Sequence, residues 1–370
     1  MSFYDYYQGL KDLNWEELWA GITAGDVERA LAREALTERD YLALLSPAAR
    51  SFLEPMAQRA RRLSIQHFGR VIVLYTPLYL SNYCVNRCLY CGLSASNQIA
   101  RKTLTPEEIE AEGRAIAGTG LRHLLLLTGE ARRHAPLGYL VEAVKLLRPY
   151  FSSLSIEVYP LETEEYRTLL REGVDGLTVY QEVYDEEVYA QVHPAGPKRD
   201  YRFRLEAPER ACQAGMVSVN IGALLGLNDW RREAFVTGLH AAYLQDHYWA
   251  TEVAVSFPRL RPHAGSSFVP TVEVTDADLV QMMLALRLYR PRLGITISTR
   301  ERPELRDRLV MLGVTRLSAG SSTEVGGRTT ADKGEAQFEV ADRRTVAEIY
   351  QMVLRQGYQP VFKDWEPLAG

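Results

Sequence analysis

From residue 71 onward, short runs of leucine and β-branched residues alternate with longer segments in which apolar residues recur at helical spacing. The short runs predict buried strands, and the longer segments predict amphipathic helices. Regular alternation of the two is typical of βα units around a parallel sheet. We predict eight strands, at residues 72–80, 123–127, 154–158, 176–180, 217–221, 252–256, 294–298 and 315–319.

The predicted helices lie between and after these strands, at residues 105–118, 136–150, 162–173, 201–214, 230–247, 276–291, 301–313 and 343–356. Thr105 followed by Pro106 is a strong helix start, because threonine caps the free N–H groups and proline suits the first helical position. Eight βα units predict an α/β protein of the (β/α)8 TIM-barrel type, whose chemistry lies at the carboxyl ends of the strands. Residues 14–68 also have helical spacing, so we predict an N-terminal helical extension over residues 1–69 and a barrel with a C-terminal helix over residues 70–370.

Composition restricts the class of protein. The chain has 370 residues, of which 46% are hydrophobic and 24% charged, as in an ordinary globular protein. A net charge of −4 gives none of the basic surplus that nucleic-acid binding usually requires. The start of the chain lacks the basic and apolar regions of a signal peptide, and the longest apolar stretch, residues 71–80, is too short to span a bilayer. We expect a cytoplasmic protein that binds neither nucleic acid nor membrane.

Three of the four cysteines, Cys84, Cys88 and Cys91, lie within eight residues, directly after the first predicted strand. Thiolates are the protein ligands of iron–sulfur clusters, and three of them can hold three irons of a 4Fe-4S cube while the fourth iron stays open to a small molecule. A structural zinc site would need a fourth ligand, but Cys212 lies in a predicted helix and is expected to be a core residue. The spacing therefore favours a cluster over zinc.

The cysteine spacing resembles that of the radical S-adenosylmethionine (SAM) superfamily, C-x-x-x-C-x-aromatic-C, with Tyr90 in the aromatic place. The resemblance implies that a 4Fe-4S cluster on these cysteines binds SAM and reduces it to a 5′-deoxyadenosyl radical. In such an enzyme the cofactor supplies the chemistry, and the barrel excludes water and aims the radical.

The same resemblance implies a set of SAM-binding residues at other strand ends. Gly129 and Glu130, after the second strand, are similar to the family's Gly-Gly-Glu segment, although Thr128 replaces the first glycine. Glu157 lies at the end of the third predicted strand, where similar enzymes contact the cofactor, and a structural ion pair with Arg204 or another cation is the alternative role. The remaining candidates for contact with the cofactor are Tyr90, Gln181 and Arg204.

Within the superfamily, several segments together are similar to the 2-iminoacetate synthase family of thiamine thiazole biosynthesis. They are residues 180–182, 193–198, 226–231, 256–262, 298–301, 318–323 and 363–365. This resemblance implies a lyase that breaks the Cα–Cβ bond of L-tyrosine to give p-cresol and 2-iminoacetate (dehydroglycine). Donors for the substrate would come from the hydroxyls and N–H groups of Ser318, Gly320, Ser321 and Thr323, and Arg259, Arg261 and Arg300 would add positive charge.

The resemblance also implies partners and leaves alternatives open. Because water hydrolyses the imine product, we expect a complex with thiazole synthase, and the cluster requires a reductant such as flavodoxin or ferredoxin. One alternative is a tryptophan lyase of the same superfamily, which would give an indole product. Another is a non-catalytic iron–sulfur or zinc protein. Arg328 stands after Gly326 and Gly327 where relatives have an aromatic residue, so this loop departs from the pattern of the relatives.

Overall fold

The eight predicted strands are all present in the computed structural model, which describes residues 2–261 and 268–363. Their ends differ from the prediction by no more than about two residues, as expected of boundaries read from periodicity. The strands are β1 Val71–Ser81, β2 His123–Thr128, β3 Ser153–Glu157, β4 Val174–Glu182, β5 Ser218–Ala223, β6 Glu252–Ser256, β7 Gly294–Ile297, β8 Arg316–Ser318 and a further strand, β9 Gln359–Val361.

Parallel pairing closes the first eight strands into a barrel. Neighbours in sequence pair from β1 through β8, and β1 also pairs with β8. Because β2 pairs with β1 only from Thr76 onward, the start of β1 has a free edge, where Val71 pairs with Gln359 of β9. The prediction of a (β/α)8 barrel is confirmed. β9 was not predicted, since three residues give too little periodicity.

Five helices precede the barrel and share its apolar core. Tyr41 donates its hydroxyl hydrogen to the Ala234 carbonyl at 2.8 Å and stacks on Tyr289, with ring centroids 4.5 Å apart. The side chains of Asn14 and Thr37 cap the first N–H groups of two of these helices. The five helices are α1 Phe3–Gln8, α2 Trp15–Ala20, α3 Ala24–Ala32, α4 Glu38–Leu45 and α5 Leu53–Phe68.

The helices around the barrel match the predicted set with two differences. The segment predicted as one helix over residues 201–214 is two helices, because Pro208 has no N–H to continue the bonding of the first. A helix after β4 was missed, although Asp185 caps its first N–H groups. These helices are α6 Pro106–Ala117, α7 Leu137–Leu147, α8 Thr163–Glu172, α9 Glu186–Val192, α10 Tyr201–Leu205, α11 Ala207–Ala214, α12 Trp230–His247, α13 Asp276–Tyr289, α14 Pro303–Leu309 and α15 Val346–Arg355. No helix in the described part of the chain has the length and hydropathy needed to cross a membrane.

Buried ionic contacts hold the long segment after β8 against the barrel mouth. Arg306 and Asp342 are both fully buried, with 0% of each side chain exposed, and form an ion pair. Arg306 also donates to the carbonyl of Ser318, the last residue of β8, and Arg344 donates to Asp342 Oδ2 at 2.7 Å. The end of β8 is thereby fixed to the loop that precedes α15.

Replacing Arg306 by methionine should lower the free energy of unfolding by about 3 kcal/mol, because the Asp342 carboxylate stays buried after losing its main partner. Urea unfolding measures the loss. The matched control is Arg308→Met on the same helix, where the arginine is exposed and a change within about 0.5 kcal/mol is expected. Equal losses in the two variants would contradict this role of the pair.

Candidate active site

The cysteine loop, residues 82–97, begins where β1 ends and lies across the barrel mouth. Its backbone is bonded to the segments that follow two other strands: the Val85 N–H donates to the Glu130 carbonyl at 3.2 Å, and the Arg87 N–H donates to the Ala195 carbonyl at 3.0 Å. The three cysteines therefore lie at the carboxyl ends of the strands, where a barrel of this type carries its chemistry.

Arg101 holds the two ends of the cysteine loop together. Its guanidinium donates to the carbonyls of Asn82 at 2.6 Å, Leu93 at 2.9 Å and Ser94 at 2.6 Å. Five fixed donors on one planar group allow a single arginine to satisfy several carbonyls in this way. The loop is thus shaped by backbone bonding before any ligand is added.

All three thiols of the loop are held protonated by their surroundings. Burial raises the pKa of Cys84 to about 11 and raises the pKa values of Cys88 and Cys91 as well. Since thiolates are the metal-binding form, loading iron must release these protons. The site is consequently expected to fill more readily as pH rises.

The donor set fits a cluster better than a single ion. In a 4Fe-4S cube each thiolate binds a different iron, so the sulfurs stand apart, whereas zinc needs four ligands that converge. Over residues 2–261 and 268–363, no three His, Cys, Asp or Glu side chains form a group that could hold one metal ion. Three thiols spread along one loop match the cluster.

A buried ionic network lies beneath the cysteine loop. Asn86 Nδ2 donates to Glu130 Oε2 at 2.8 Å, and Arg204 Nη1 donates to Glu130 Oε1 at 2.7 Å. Burial favours the protonated carboxyl, but the charges of Arg204 and Lys198 outweigh it and hold the pKa of Glu130 below its ordinary value. Glu130 is therefore a carboxylate at neutral pH, with both oxygens engaged.

Lys198 and Glu182 complete this network, which we call the charged ring: Asn86, Glu130, Glu182, Lys198 and Arg204. Lys198 Nζ donates to Glu182 Oε1 at 2.7 Å, and the Lys198 N–H donates to Asn86 Oδ1 at 2.9 Å. Glu182 has a φ of +73°, the only left-handed non-glycine residue among those described. Such backbone costs about 1 kcal/mol or more, and strain of this kind is concentrated at functional sites.

Tyr90, the aromatic residue of the cysteine spacing, is positioned by a histidine. Its hydroxyl is 2.9 Å from His193 Nε2, and His193 Nδ1 is 2.8 Å from the Tyr189 carbonyl. Burial and the charges of Lys198 and Arg204 lower the pKa of His193 to about 2, so the imidazole is neutral. Nδ1–H then donates to the carbonyl, which leaves Nε2 to accept from Tyr90.

Gly129 is close to backbone rather than to an open ligand space. A Cβ added there would lie 2.2 Å from the Tyr83 carbonyl oxygen of the cysteine loop. The glycine therefore permits contact between the end of β2 and the cysteine loop. The family resemblance implied a role for Gly129 in binding SAM and gave no sign of this contact with the cysteine loop.

A cavity opens at the same end of the barrel. Tyr79, which lines it, donates its hydroxyl hydrogen to Gln337 Oε1 at 2.6 Å, and Gln337 Nε2 is 3.8 Å from Cys91 Sγ. The cavity is thus adjacent to the cysteine loop. Its apolar wall includes Pro77, Leu125, Leu127, Phe257, Ile297 and Phe338.

Glu157 lines this cavity and does not pair with Arg204. Arg204 is engaged by Glu130 and by the Tyr180 carbonyl, and within the described chain the Glu157 carboxyl has no hydrogen bond or ion pair. Burial, followed by the charge of Glu182, raises the pKa of Glu157 to about 7. The alternative role as the partner of Arg204 is therefore wrong.

Arg259 and Arg261 bind a carboxylate of the protein itself. Arg259 Nε donates to Glu301 Oε1 at 3.0 Å, Arg259 Nη2 donates to Asp276 at 2.9 Å, and Arg261 Nη2 donates to Glu301 Oε2 at 3.1 Å. Glu301 lines the cavity, whereas neither arginine is among its lining residues. This geometry gives the two arginines the task of holding Glu301.

Arg300, Ser318 and Ser321 all line the cavity. The Arg300 guanidinium stacks on Phe338, 3.5 Å from the ring centroid, and pairs with no carboxylate among the described residues. Ser318 Oγ accepts from the Thr299 N–H at 3.0 Å, and Ser321 Oγ is buried without a partner in this part of the structure. A cation and an unsatisfied hydroxyl therefore face the same space.

The remaining residues of the prediction are Gln181, Arg328 and the ends of segments 256–262 and 363–365, which resemble the 2-iminoacetate synthase family. Gln181 is buried, and both polar atoms of its amide lack a partner within the described residues. Arg328 donates to the carbonyls of Gly320 at 3.0 Å and Pro77 at 3.2 Å, so it anchors its loop in place of the aromatic residue expected there. Residue 262 and residues 364–365, the ends of these two segments, lie outside the described residues.

Sequence reasoning missed Asn86, Arg101, His193 and Gln337 as parts of this site. Each is a polar residue that the fold brings to the cysteine loop, and three of the four come from elsewhere in the sequence. Only Asn86 could have been identified from its place in the sequence, because it lies between two of the cysteines in the loop that would hold the cluster.

Comparison with known proteins identifies the family. The family model of the radical SAM superfamily matches residues 78–237, and that of the biotin and thiamin synthesis associated domain matches residues 256–359. The chain is 44% identical to a 2-iminoacetate synthase of Escherichia coli, over 97% of this chain and 96% of that protein. The chain belongs to the radical SAM superfamily. A 2-iminoacetate synthase of Salmonella typhimurium is 43% identical over the same shares.

Solved structures agree with this membership. The [FeFe]-hydrogenase maturase HydG of Carboxydothermus hydrogenoformans superposes with a TM-score of 0.84 at 32% identity, covering 98% of this chain and 83% of that one. A methylornithine synthase superposes with a TM-score of 0.73 at 22% identity, covering 91% of this chain and 97% of that one, which supports the fold alone. This radical SAM protein is an enzyme closely related to 2-iminoacetate synthases, and the family implies SAM and a 4Fe-4S cluster. The non-catalytic alternative is set aside.

Replacing Gly129 by alanine should disturb the cysteine loop, because the new Cβ meets the Tyr83 backbone, which cannot move as a flexible side chain would. We expect the variant to retain less than about half of the iron and sulfide that the wild type binds on reconstitution. The control is Gly138→Ala in α7, where a Cβ meets nothing within 4 Å and alanine should favour the helix. Full cluster loading of the Gly129 variant would contradict the prediction.

Glu157 should make stability depend on pH. The folded protein keeps the proton of the Glu157 carboxyl up to pH about 7, whereas the unfolded chain releases it near pH 4.5. The stability of the folded protein relative to the unfolded chain therefore falls as pH rises from 4.5 to 7. In the protein without SAM, the free energy of unfolding of Glu157→Gln should exceed that of the wild type by roughly 1–3 kcal/mol at pH 8 and by little at pH 4.5. Urea unfolding at both pH values measures this, with the exposed Glu34→Gln as control. A pH-independent difference would refute the assignment.

Proposed function

We propose that this radical SAM enzyme is a lyase that breaks the Cα–Cβ bond of L-tyrosine to give p-cresol and 2-iminoacetate. The observation that carries the proposal is a cavity next to the cysteine loop that combines apolar walls with an arginine, Arg300, lacking a carboxylate partner within the described chain. An aromatic amino acid presents the same combination of an apolar ring and a carboxylate. The names of the two 43–44% identical relatives support this reaction.

Different residues of the cavity bind different groups of the zwitterionic amino acid. Arg300 is the donor for the substrate carboxylate, since guanidinium matches the two oxygens of that group. Ser321, whose Oγ is buried without a partner in the described structure, offers a hydroxyl, and Ser318 lines the same cavity. The aromatic ring packs against the apolar wall, where water is excluded.

The cofactor site adjoins this cavity. We assign the 4Fe-4S cluster to Cys84, Cys88 and Cys91, and contacts with SAM to Tyr90, Gly129, Glu130, Glu157, Gln181 and Arg204. With SAM bound, the reduced cluster would supply radical chemistry, the abstraction of a hydrogen atom from the substrate. The chain's own contribution is orientation: the charged ring fixes the cysteine loop, and Arg300 fixes the substrate carboxylate.

The proposed reaction requires two partner proteins, one to receive the product and one to reduce the cluster. 2-Iminoacetate is an imine that water hydrolyses, so we propose direct transfer to thiazole synthase in a complex. One-electron reduction of the cluster requires a donor of the flavodoxin or ferredoxin type.

Anaerobic incubation of the reconstituted enzyme with L-tyrosine, SAM and reductant should yield p-cresol and 5′-deoxyadenosine in equal amounts. The same incubation with L-tryptophan tests the indole-side-chain alternative, which faster formation of an indole product would establish. Cleavage of SAM without p-cresol would reject the tyrosine lyase assignment.

Arg300→Met should lower kcat/KM for tyrosine by about 100-fold or more, because a charged partner of the carboxylate is lost from a desolvated site. Arg300→Lys should recover part of this through its point charge. Arg308→Met, at an exposed position away from the cavity, should behave as wild type. Unchanged kinetics in Arg300→Met would remove this arginine from the substrate site.

A further inference from the structure

The cysteine loop has two faces. Asn86, Cys88 and Tyr90 are buried and face the charged ring, whereas the alternate residues point to solvent. Among the described residues only five large hydrophobic side chains are exposed, and two of them, Val85 at 50% and Leu89 at 49%, lie on this outer face. Exposed apolar side chains grouped in this way mark interaction surfaces.

Three arginines lie close in sequence to these two apolar side chains or to the segments that are hydrogen-bonded to their loop. Arg87 lies between them, Arg133 follows the β2 segment to which Val85 is bonded, and Arg199 follows Lys198. All three arginines are exposed, and none forms an ion pair within the described chain. The total charge of the protein is −4, so this basic patch is local. We call Val85, Arg87, Leu89, Arg133 and Arg199 the outer rim.

Acidic side chains near the outer rim do not fully neutralise its positive charge. Asp200 is exposed, but its carboxylate accepts the Phe203 N–H at 2.9 Å as a helix cap. Glu187 is exposed on α9 without an ion pair in the described structure, and Glu130 and Glu182 are buried in the charged ring. Three exposed arginines against two exposed carboxylates, Asp200 and Glu187, leave a surface with one net positive charge.

We propose that the outer rim is the docking surface of an acidic one-electron carrier protein, an inference that rests on the proposed function. In this step one electron passes from the reduced carrier to the oxidised cluster, and the carrier leaves oxidised by one electron. Cys88 lies on the inner face of the same loop, between Arg87 and Leu89, so a carrier seated on the outer rim is separated from the cluster ligands by one thickness of chain.

The chemistry of the outer rim matches a transient acidic partner. Opposite charges steer encounter and raise association rates, and their effect falls with salt. A small apolar patch with a charged border suits a weak interface of the kind that redox partners form and release. A stable partner would need a larger apolar surface than these two side chains provide.

The test uses the cluster-loaded enzyme and a reduced flavodoxin. Reversing the three rim charges with Arg87→Glu, Arg133→Glu and Arg199→Glu should slow reduction of the cluster by flavodoxin about 10–100-fold at low salt, and should weaken binding measured by calorimetry. The difference should shrink as salt increases. Dithionite, which needs no docking, should reduce wild type and variant at equal rates, monitored by the paramagnetic signal of the reduced cluster.

The matched control carries the same change of charge at the other end of the barrel. Arg61, Arg62 and Arg70 lie before β1, whose 11 residues span roughly 35 Å. Arg61→Glu, Arg62→Glu and Arg70→Glu together should leave reduction by flavodoxin unchanged. Equal reduction of wild type and rim variant, or equal slowing in the control, would overturn the proposal. Since neither readout requires p-cresol, failure of the tyrosine reaction is distinguished from failure of docking.

Discussion

The site depends on one constraint: the Glu130 carboxylate must stay ionised in a buried place. Arg204 and Lys198 supply the charges that keep its pKa low, and Asn86 connects it to the cysteine loop. Removing any one partner would leave a buried charge unpaired, which costs more than the pair itself contributes. The network thus ties together the segments after β1, β2 and β4, so the loop that holds the cluster ligands has one arrangement.

The contrast between two neighbouring arginines shows how the fold separates structural from binding roles. Arg259 is saturated by Glu301 and Asp276, whereas Arg300 rests on Phe338 and leaves its donors to the cavity. Stacking satisfies the flat face of a guanidinium while its edge stays available. Because Arg259 and Arg261 neutralise Glu301, the carboxylate on the cavity wall does not compete for Arg300.

The sequence was sufficient for the barrel and for the cysteine ligands, because both depend on local patterns. Eight apolar runs separated by helical segments specify a parallel barrel, and three cysteines in one loop need no distant information. The division between Arg259 and Arg300 could not be predicted, since both lie at strand ends and only the positions of Glu301 and Phe338 distinguish them. The same holds for Gly129, whose close neighbour proved to be backbone of the cysteine loop.

The alternation of burial along residues 85–90 connects the inner chemistry to the outer surface. Over these six residues Asn86, Cys88 and Tyr90 are buried, whereas Val85, Arg87 and Leu89 are exposed. The inner residues are fixed by the charged ring and by His193, so the outer side chains are held on a rigid base rather than on a free loop. A surface preorganised in this way loses little conformational entropy on binding, which allows a weak and rapidly released partner to be oriented correctly with few contacts.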